Sequence, residues 1–326
     1  MNRPPAASPD GSVTVAAPAK VNLCLEVGPV RPDGFHALAT VYQAIGLHDL
    51  VTVRPSDEVT MTVRADDRLS LHDVPTDGSN IAVRAALLLA EHSGAGRGAH
   101  IHIDKSIPVA GGLAGGSADG AATLLACDRL WGLSTPLEEL VALAAELGCD
   151  VPFALVGGTA IGSGRGESLT PLLPAPQPES CWWVVLESAD GLSTPAVYKE
   201  FDVLHDGSAV PSPRIPEDLV AALRSGEVAA VGATLSNGLQ EPAFRLRPGL
   251  RETIELGRSG LPSARVHGAL VSGSGPSCLF LCGSRADAVH VAEELTARGL
   301  GPVSVAPGPV PGARVVPGRA AGARGR

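Results

Sequence analysis

The chain has 326 residues, of which 44% are hydrophobic and 18% are charged, so its composition is that of a folded protein with room for two ordinary domains. Its formal net charge of −9 argues against a general nucleic-acid-binding surface, which needs a basic face. No apolar run approaches the ~20 residues that span a bilayer, and the first residues lack the apolar segment of a secretory signal. The six cysteines form no C-x-x-C pair, so we expect a cytoplasmic protein with reduced thiols and no membrane or nucleic-acid partner.

Lysine is scarce in this chain, which has three lysines against 22 arginines. The three are Lys20, Lys105 and Lys199. A planar guanidinium cannot replace a compact ammonium at every site, so each retained lysine is a candidate for function. Asparagine is also scarce, with four residues, and Asn22 lies two positions after Lys20.

The N-terminal segment is predicted to be disordered over residues 1–11 and to form β structure over residues 12–28. Pro18 predicts either two short strands or one bent strand. Alternation along a strand places Lys20 and Asn22 on one face. Two scarce polar side chains on a shared face indicate the wall of a binding site, although a solvent-facing strand edge gives the same pattern.

The turn at residues 31–34, Arg-Pro-Asp-Gly, is followed by Phe35 and His36. An aromatic ring and an imidazole on a turn suit the recognition of a planar base, because one can stack and the other can form hydrogen bonds. An ordinary β-turn with a packed phenylalanine is the alternative interpretation.

The next segments alternate between strand and helix patterns. Residues 48–65 hold two alternating stretches that can pair as a hairpin. Ser79 or Asn80 is the predicted N-cap of a helix that ends at Gly94. Residues 99–108 alternate strictly between polar and apolar side chains, which predicts a half-buried strand.

Four glycines follow within residues 111–116, directly before a helix predicted over about 117–130. Gly111 and Gly116 have the Walker A spacing and Ser117 follows, but the Walker lysine is missing. Glycines allow backbone N–H groups to converge on an anion, and the N-terminus of the helix adds unpaired N–H groups. The pattern therefore predicts a phosphate-binding loop, with a plain strand-to-helix turn as the alternative.

Asp150 follows a helix predicted over residues 137–147 and lies in the largely apolar segment GCDVPFAL. A carboxylate in apolar surroundings needs a partner. Near a lysine it can accept a proton from a substrate hydroxyl. It can equally cap the short turn before Pro152.

The second half of the chain predicts an α+β sandwich built on an antiparallel sheet. Four prolines in residues 169–181 indicate an interdomain connection. A buried strand comes next, and two later strands flank a glycine-rich turn at residues 272–277. Helices are predicted near residues 194–202, 216–225, 227–238 and 248–258.

The motifs PAKVNL, RPDGFH, IPVAGGLAGGSADGAA, GCDVPF and VSGSGPSCLF occur in this order. Together they resemble the GHMP kinase superfamily from about residue 12 to residue 316. More closely, they resemble its members that phosphorylate a cytidine diphosphate derivative of methylerythritol in the non-mevalonate route to isoprenoids. This resemblance implies an α+β, two-domain GHMP-kinase fold. Its N-terminal ribosomal-protein-S5-like α/β domain spans residues 12–170, its C-terminal ferredoxin-like α+β sandwich spans 171–316, and a disordered basic tail spans 317–326.

The resemblance also implies a role for the glycine-rich segment, which would wrap the phosphates of ATP, the co-substrate. Ten residues form that segment: Pro108, Val109, Ala110, Gly111, Gly112, Leu113, Ala114, Gly115, Gly116 and Ser117. A second glycine turn, at Gly273, Ser274 and Gly275, would close over the active site.

On the same resemblance, Asp150 would take the proton from the 2-hydroxyl group of the substrate. Lys20 would keep that carboxylate ionised and orient the hydroxyl, and Asn22 would line the same pocket. Phe35 and His36 would recognise the cytosine. Tyr198 would supply the opposing aromatic face.

The loop departs from the family pattern G-L-G-G-G-S-S at Ala114 and Ala118. Mg²⁺ is expected as a cofactor, but loss of the second serine leaves it without an assigned protein ligand, and the roles of Lys105 and Arg165 stay open. The alternatives are another GHMP kinase, acting on mevalonate, homoserine or a sugar, and a non-catalytic nucleotide-binding protein. A dinucleotide-dependent oxidoreductase is disfavoured because the loop lacks G-x-G-x-x-G. We expect a monomer or a homodimer.

Overall fold

The computed structural model describes residues 11–65, 68–94, 96–172, 181–188, 191–206, 210–259, 261 and 265–317. The strands are β1 (Val13–Val30), β2 (His36–Ser56), β3 (Thr60–Ala65), β4 (Gly98–Lys105), β5 (Thr159–Gly164), β6 (Ser168–Pro171), β7 (Cys181–Leu186), β8 (Ser236–Asn237), β9 (Gly268–Val271), β10 (Cys278–Cys282), β11 (Val303–Gly308) and β12 (Arg314–Val316). The helices are α1 (Ile81–Ser93), α2 (Gly115–Trp131), α3 (Leu137–Leu147), α4 (Val151–Val156), α5 (Thr194–Leu204), α6 (Glu217–Ser225), α7 (Val228–Ala233), α8 (Gln240–Leu246), α9 (Gly249–Arg258) and α10 (Arg285–Ala297).

The termini predicted to be disordered, residues 1–11 and 317–326, lie outside the described residues except for Gly11 and Pro317. Residues 173–180 of the proline-rich connection also lie outside them, so the domain boundary at residue 170 stays a prediction. Within the described part of the chain, no helix is both long enough and apolar enough to cross a bilayer.

The first sheet has the strand order β12-β1-β2-β4-β3, with β5 and β6 added beside β2 and the short β8 added beside β1. β1 is one long strand whose register against β2 shifts between Pro18 and Ala19 and again between Asn22 and Cys24. The interpretation of this segment as one bent strand is therefore confirmed. The bends carry β1 from the core of the first sheet to the second half of the molecule, where it pairs with β8.

The hairpin expected over residues 48–65 is wrong. β3 pairs in parallel with β4, with Met61 opposite Ile101 and Val63 opposite Ile103. β4 in turn lies between β3 and β2. Alternating polarity identifies a half-buried strand but not its partner, and the fully buried isoleucines of β4 take the inner position.

The second sheet has the strand order β11-β7-β10-β9 and is antiparallel throughout. This confirms the antiparallel α+β arrangement predicted for the second half. The helix predicted over residues 227–238 is shorter than expected, because α7 ends at Ala233 and Asn237 belongs to β8. The Asn237 side chain donates hydrogen bonds to the carbonyl groups of Val271, at 2.8 Å, and Gly273, at 2.7 Å, which helps to hold this segment extended.

Helices α1 and α2 pack closely on the first sheet and fix the position of the loop before α2. The predicted N-cap Asn80 is confirmed, since its side chain accepts a hydrogen bond from the backbone N–H of Ala82 at 2.8 Å. A Cβ atom added at Gly120 in α2 would lie 2.5 Å from Cγ2 of Ile81 in α1. The glycine therefore sets the distance between the two helices.

We expect Gly120→Ala to lower the free energy of unfolding by about 1–3 kcal/mol, because overpacking against the branched Ile81 outweighs the roughly 1 kcal/mol that alanine adds through helix propensity. Gly116→Ala is the matched control in the same helix, since its Cβ would lie at ordinary contact distance, 3.8 Å, from Ile81. Urea unfolding of both variants measures the difference. Equal stability of the two variants would contradict the packing argument.

Candidate active site

Two glycine loops are in contact: the first glycine loop, residues 108–117, and the second glycine loop, residues 272–277. Gly112 has φ +78°, and a Cβ atom there would lie 2.1 Å from the carbonyl oxygen of Ser272. The Ser272 hydroxyl donates a hydrogen bond to the Gly112 carbonyl at 3.0 Å. Glycine is therefore required at position 112 both for its backbone angle and for the contact.

The first glycine loop forms one wall of a cavity of about 330 Å³, here called the nucleotide cavity. Eight of the ten residues predicted to bind ATP line it, the exceptions being Leu113 and Ser117. Leu113 is fully buried in the core, and its carbonyl accepts a hydrogen bond from the Lys20 backbone N–H at 3.1 Å. The remaining lining residues come from the N-terminus of α1, the segment before it and the buried cluster below: Asp73, Val74, Pro75, Ser79, Asn80, Ile81, Lys105 and Asp119.

A buried charge cluster below the loop consists of Lys105, Asp49 and Asp119. The Lys105 ammonium donates to Asp119 Oδ2 at 2.6 Å and to Asp49 Oδ2. Asp49 Oδ1 accepts the backbone N–H groups of Ser106, at 2.6 Å, and Ile107, at 2.8 Å. The cluster therefore ties the strand end before the loop to the first turns of α2.

Burial controls the electrostatics of this cluster. Burial lowers the pKa of Lys105, but the two carboxylates outweigh it and raise that pKa above its ordinary value. Burial raises the pKa of Asp119 well above its ordinary value, although Lys105 opposes this. Asp119 Oδ1 has no hydrogen-bond partner, the residue is 3% exposed, and it lines the nucleotide cavity. Asp119 is therefore a cavity-lining carboxylate with one oxygen left unpaired within the protein.

A second cavity of about 310 Å³, here called the acceptor cavity, shares Gly112 and Ala114 with the nucleotide cavity. Groups bound in the two cavities would therefore be neighbours across the first glycine loop. Its lining residues are Lys20, Asn22, Leu25, Leu38, Tyr42, Gly112, Ala114, Cys149, Asp150, Arg165, Thr194, Tyr198, Leu239, Gly273 and Ser274.

The predicted pairing of Lys20 and Asn22 on one strand face is confirmed. The Lys20 ammonium donates to Asn22 Oδ1 at 2.8 Å, and Asn22 Nδ2 donates to the Thr40 hydroxyl at 2.8 Å. Lys20 Nζ lies 3.9 Å from Asp150 Oδ2. Asp150 precedes α4 but makes no capping hydrogen bond with its side chain, so the capping interpretation is wrong and the carboxylate faces the acceptor cavity.

Tyr42 completes this group and was not predicted. Burial, followed by the negative charge of Asp150 and hydrogen bonding with it, raises the pKa of Tyr42 well above its ordinary value, so its hydroxyl stays protonated. The chain has only two tyrosines, and both line this cavity. The scarcity argument that singled out lysine would also have identified Tyr42.

Of the predicted base-binding residues, Tyr198 lines the acceptor cavity, whereas Phe35 and His36 are not among its lining residues. Tyr198 lines the cavity and stacks on His36 with ring centroids 5.3 Å apart, so no base fits between these two rings. Both ring nitrogens of His36 are also engaged, since its Nδ1 lies 2.8 Å from the Gly28 carbonyl oxygen and its Nε2 lies 3.2 Å from Asp202 Oδ1. Phe35 is 56% exposed, which leaves its ring accessible to a ligand.

The second glycine loop is held from two sides. The Asn237 side chain donates to the Gly273 carbonyl at 2.7 Å, and the hydroxyl groups of Thr194 and Ser274 lie 2.7 Å apart. Gly273 and Gly275 have φ values of +54° and +87°, which favour glycine. The second glycine loop, predicted to close over the site, thus contacts α5 through Thr194, β8 through Asn237 and the first glycine loop through Gly112.

We expect Ala114→Gly to raise the free energy of unfolding by about 0.5–1 kcal/mol. Ala114 has φ +59°, a left-handed conformation that costs a non-glycine residue roughly 1–2 kcal/mol, and the greater flexibility of glycine in the unfolded chain offsets part of that gain. Ser134→Gly is the control, since Ser134 has φ +58° on an exposed turn far from the loop in sequence. The melting temperature should rise in both variants, whereas the KM for ATP should change only in Ala114→Gly. A changed KM for ATP in both variants would contradict the expectation that only the residue in the first glycine loop affects ATP binding.

The sequence matches the pattern of the GHMP kinases N terminal domain over residues 80–158 and that of GHMP kinases C terminal over residues 219–300. It is 50% identical over 301 residues to a 4-diphosphocytidyl-2-C-methyl-D-erythritol kinase of a Nocardioides species, covering 92% of this chain and 98% of that protein. It is 49% identical over 306 residues to the enzyme of that name from Streptomyces avermitilis, covering 94% and 100%. The fold is similar to a crystal structure of 4-(cytidine 5'-diphospho)-2C-methyl-D-erythritol kinase, with TM-score 0.73, 33% identity and coverage of 91% and 99%.

Proposed function

The chain belongs to the 4-diphosphocytidyl-2-C-methyl-D-erythritol kinase family of GHMP kinases, and we propose that it phosphorylates the 2-hydroxyl group of that diphosphocytidyl alcohol with ATP. The products are the 2-phosphate and ADP, in the non-mevalonate route to isoprenoid precursors. One observation carries the proposal: a cavity walled by the first glycine loop and a cavity containing the Lys20–Asp150 pair share Gly112 and Ala114. Phosphoryl transfer then occurs between neighbouring cavities.

Asp150 is the base. It accepts the proton of the 2-hydroxyl group as that oxygen forms a bond to the γ-phosphorus, and the bond between this phosphorus and the bridging oxygen breaks with its electron pair leaving on ADP. Lys20, 3.9 Å from the carboxylate, attracts the charge on Asp150 and orients the hydroxyl. Asn22 fixes the Lys20 ammonium, and Tyr42 lines the same cavity as the carboxylate. Phosphoryl transfer depends mainly on positioning and charge, which these four side chains supply.

The first glycine loop binds the phosphates of ATP through backbone N–H groups, with the N-terminus of α2 contributing its unpaired N–H groups. The apolar side chains of Val74, Pro75 and Ile81 line the same cavity and suit the adenine ring. Gly273, Ser274 and Gly275 close the site from the second half of the chain.

Mg²⁺ accompanies ATP in this proposal, and Asp119 is the residue that fits it. Within the described part of the chain no cluster of three or more His, Cys, Asp or Glu side chains is suited to hold a metal. Mg²⁺ needs only one or two carboxylates when phosphate oxygens supply other ligands. Asp119 lines the nucleotide cavity and its Oδ1 has no partner, while Lys105 is already bound by two carboxylates. Bound Mg²⁺ would supply charge neutralisation on the phosphates.

The cytosine binds between Phe35 and Tyr198, because His36 and Tyr198 are in direct contact and leave no room between them. His36 holds Tyr198 by stacking, with the ring centroids 5.3 Å apart. An aromatic site at one end of the acceptor cavity favours a cytidine compound over mevalonate, homoserine or a sugar, none of which contains a flat ring for stacking.

The state of the cysteines bears on the compartment in which the protein acts. All six cysteines are free thiols, which suits a reducing compartment such as the cytoplasm. We propose a monomer or homodimer that acts on its small-molecule substrate without a nucleic-acid or membrane partner.

Asp150→Asn should reduce kcat by about 100-fold to 10,000-fold while ATP binding changes little, because the amide cannot accept the proton and the nucleotide cavity does not include residue 150. A coupled ADP-release assay measures turnover, and calorimetry measures ATP binding. Asp104→Asn, on β4 outside both cavities, is the control for loss of a carboxylate.

The same assay decides the substrate when the wild-type protein receives 4-diphosphocytidyl-2-C-methyl-D-erythritol, mevalonate and homoserine in parallel. Turnover of the cytidyl compound alone supports the proposal. Turnover of another alcohol would refute the substrate, and ATP binding without turnover of any would favour a nucleotide-binding protein.

Asp119→Asn should raise the Mg²⁺ concentration needed for half-maximal activity by roughly 10-fold or more, because one charged ligand is lost. Calorimetric binding of Mg²⁺ to the ADP complex should weaken in parallel. Tm should not fall, since the substitution removes a buried negative charge and Lys105 keeps Asp49 as its partner. An unchanged Mg²⁺ requirement would show that Asp119 does not hold the metal.

A further inference from the structure

Arg165 lies at the tip of the hairpin that joins β5 to β6, and it lines the acceptor cavity. The tip is held by its own residues, because the Glu167 carboxylate accepts a hydrogen bond from the Arg165 backbone N–H at 2.7 Å. A Cβ atom at Gly166 would lie 2.2 Å from the Tyr42 hydroxyl oxygen. The hairpin therefore packs directly on Tyr42, and this contact places residue 165 beside the catalytic group.

The Arg165 guanidinium is half-buried and lies 5.2 Å from the centroid of the Phe35 ring. Across the described residues it forms no ion pair with a carboxylate, and the carboxylate nearest in sequence, that of Glu167, is engaged by the turn backbone. The other cation of the cavity, Lys20, is already bound to Asn22 and faces Asp150. Arg165 is thus the cation of the acceptor cavity that is available to a ligand.

The charges of this cavity differ from those of the whole protein. Lys20 and Arg165 supply two positive charges and Asp150 one negative charge, so the lining is net positive by one although the chain carries −9. A local positive potential of this kind concentrates an anionic ligand.

The connectivity of the substrate determines which of its groups reaches Arg165. In the proposed complex the cytosine stacks on Phe35 and the reacting hydroxyl lies at Asp150. The diphosphate joins these two ends of the molecule covalently, so it must cross the region between them. Arg165 covers that region, since it contacts the Phe35 ring and lines the cavity that contains Asp150.

We infer that the Arg165 guanidinium binds the diphosphate group of the acceptor substrate, an inference that rests on the proposed function. Its planar fork of N–H donors matches phosphate oxygens in a bidentate manner, which a lysine ammonium does not. Arg165 is thereby a specificity-determining residue, because it distinguishes a cytidine diphosphate compound from an uncharged cytidine or a simple alcohol.

The test compares the binding of CDP and of cytidine to the wild type, Arg165→Gln and Arg165→Lys by calorimetry, with the nucleotide cavity saturated by ADP. Arg165→Gln should weaken CDP binding by roughly 10-fold to 100-fold, the range for losing a charge-assisted hydrogen bond, and leave cytidine binding within about twofold. Arg165→Lys should lose part of this affinity, and the CDP effect should shrink at high ionic strength. The KM for ATP should stay unchanged. Arg224→Gln, on the exposed last turn of α6, controls for loss of an arginine charge.

Equal weakening of CDP and cytidine in Arg165→Gln would overturn the inference, since it would assign Arg165 to the aromatic site and not to the diphosphate. Unchanged binding of both compounds would overturn it as well, while leaving the kinase proposal intact. Failure of the wild-type protein to bind either compound would instead refute the proposed function, and the inference with it.

Discussion

The contact between Gly112 and the Ser272 carbonyl determines how this molecule is assembled around its site. No side chain fits between these two backbones, and the Ser272 hydroxyl fastens them through the Gly112 carbonyl. The first glycine loop belongs to the large sheet and its helices, whereas the second joins two strands of the small sheet. Where they touch, one cavity opens on each side of Gly112 and Ala114. A donor and an acceptor therefore become neighbours because two backbones can approach without a Cβ atom.

The buried Lys105 cluster supports that contact from below. It places one ammonium and two carboxylates where burial disfavours charge, so pairing and hydrogen bonding must offset the cost of removing them from water. Asp49 uses both oxygens, one for Lys105 and one for two backbone N–H groups at the start of the loop. Asp119 uses only one, which leaves its Oδ1 unpaired in a residue that lines the cavity. A single cluster thus fixes the loop and supplies the cavity with an acceptor.

Prediction from the sequence was most accurate where the local backbone conformation accepts only a few residue types. Asn80 as a helix cap, the end of α1 at Gly94 and the bounds of α3 follow from local chemistry, and the structure agrees with all three. Lys20 and Asn22 were identifiable because strand alternation fixes which side chains share a face and because both residue types are scarce. Tyr42 and Arg165 were assigned no role, since each functions through partners far along the chain.

The sequence by itself determined the motifs, their order and the family, because loop glycines, caps and strand faces depend on neighbours within a few residues. Only the tertiary structure decided that β4 separates β2 from β3, that Asp150 faces Lys20 and Tyr42 instead of capping α4, and that His36 stacks on Tyr198. These arrangements depend on pairings between distant segments. Periodicity fixes the face on which a side chain lies, but the identity of the element packed against that face is set by the whole fold.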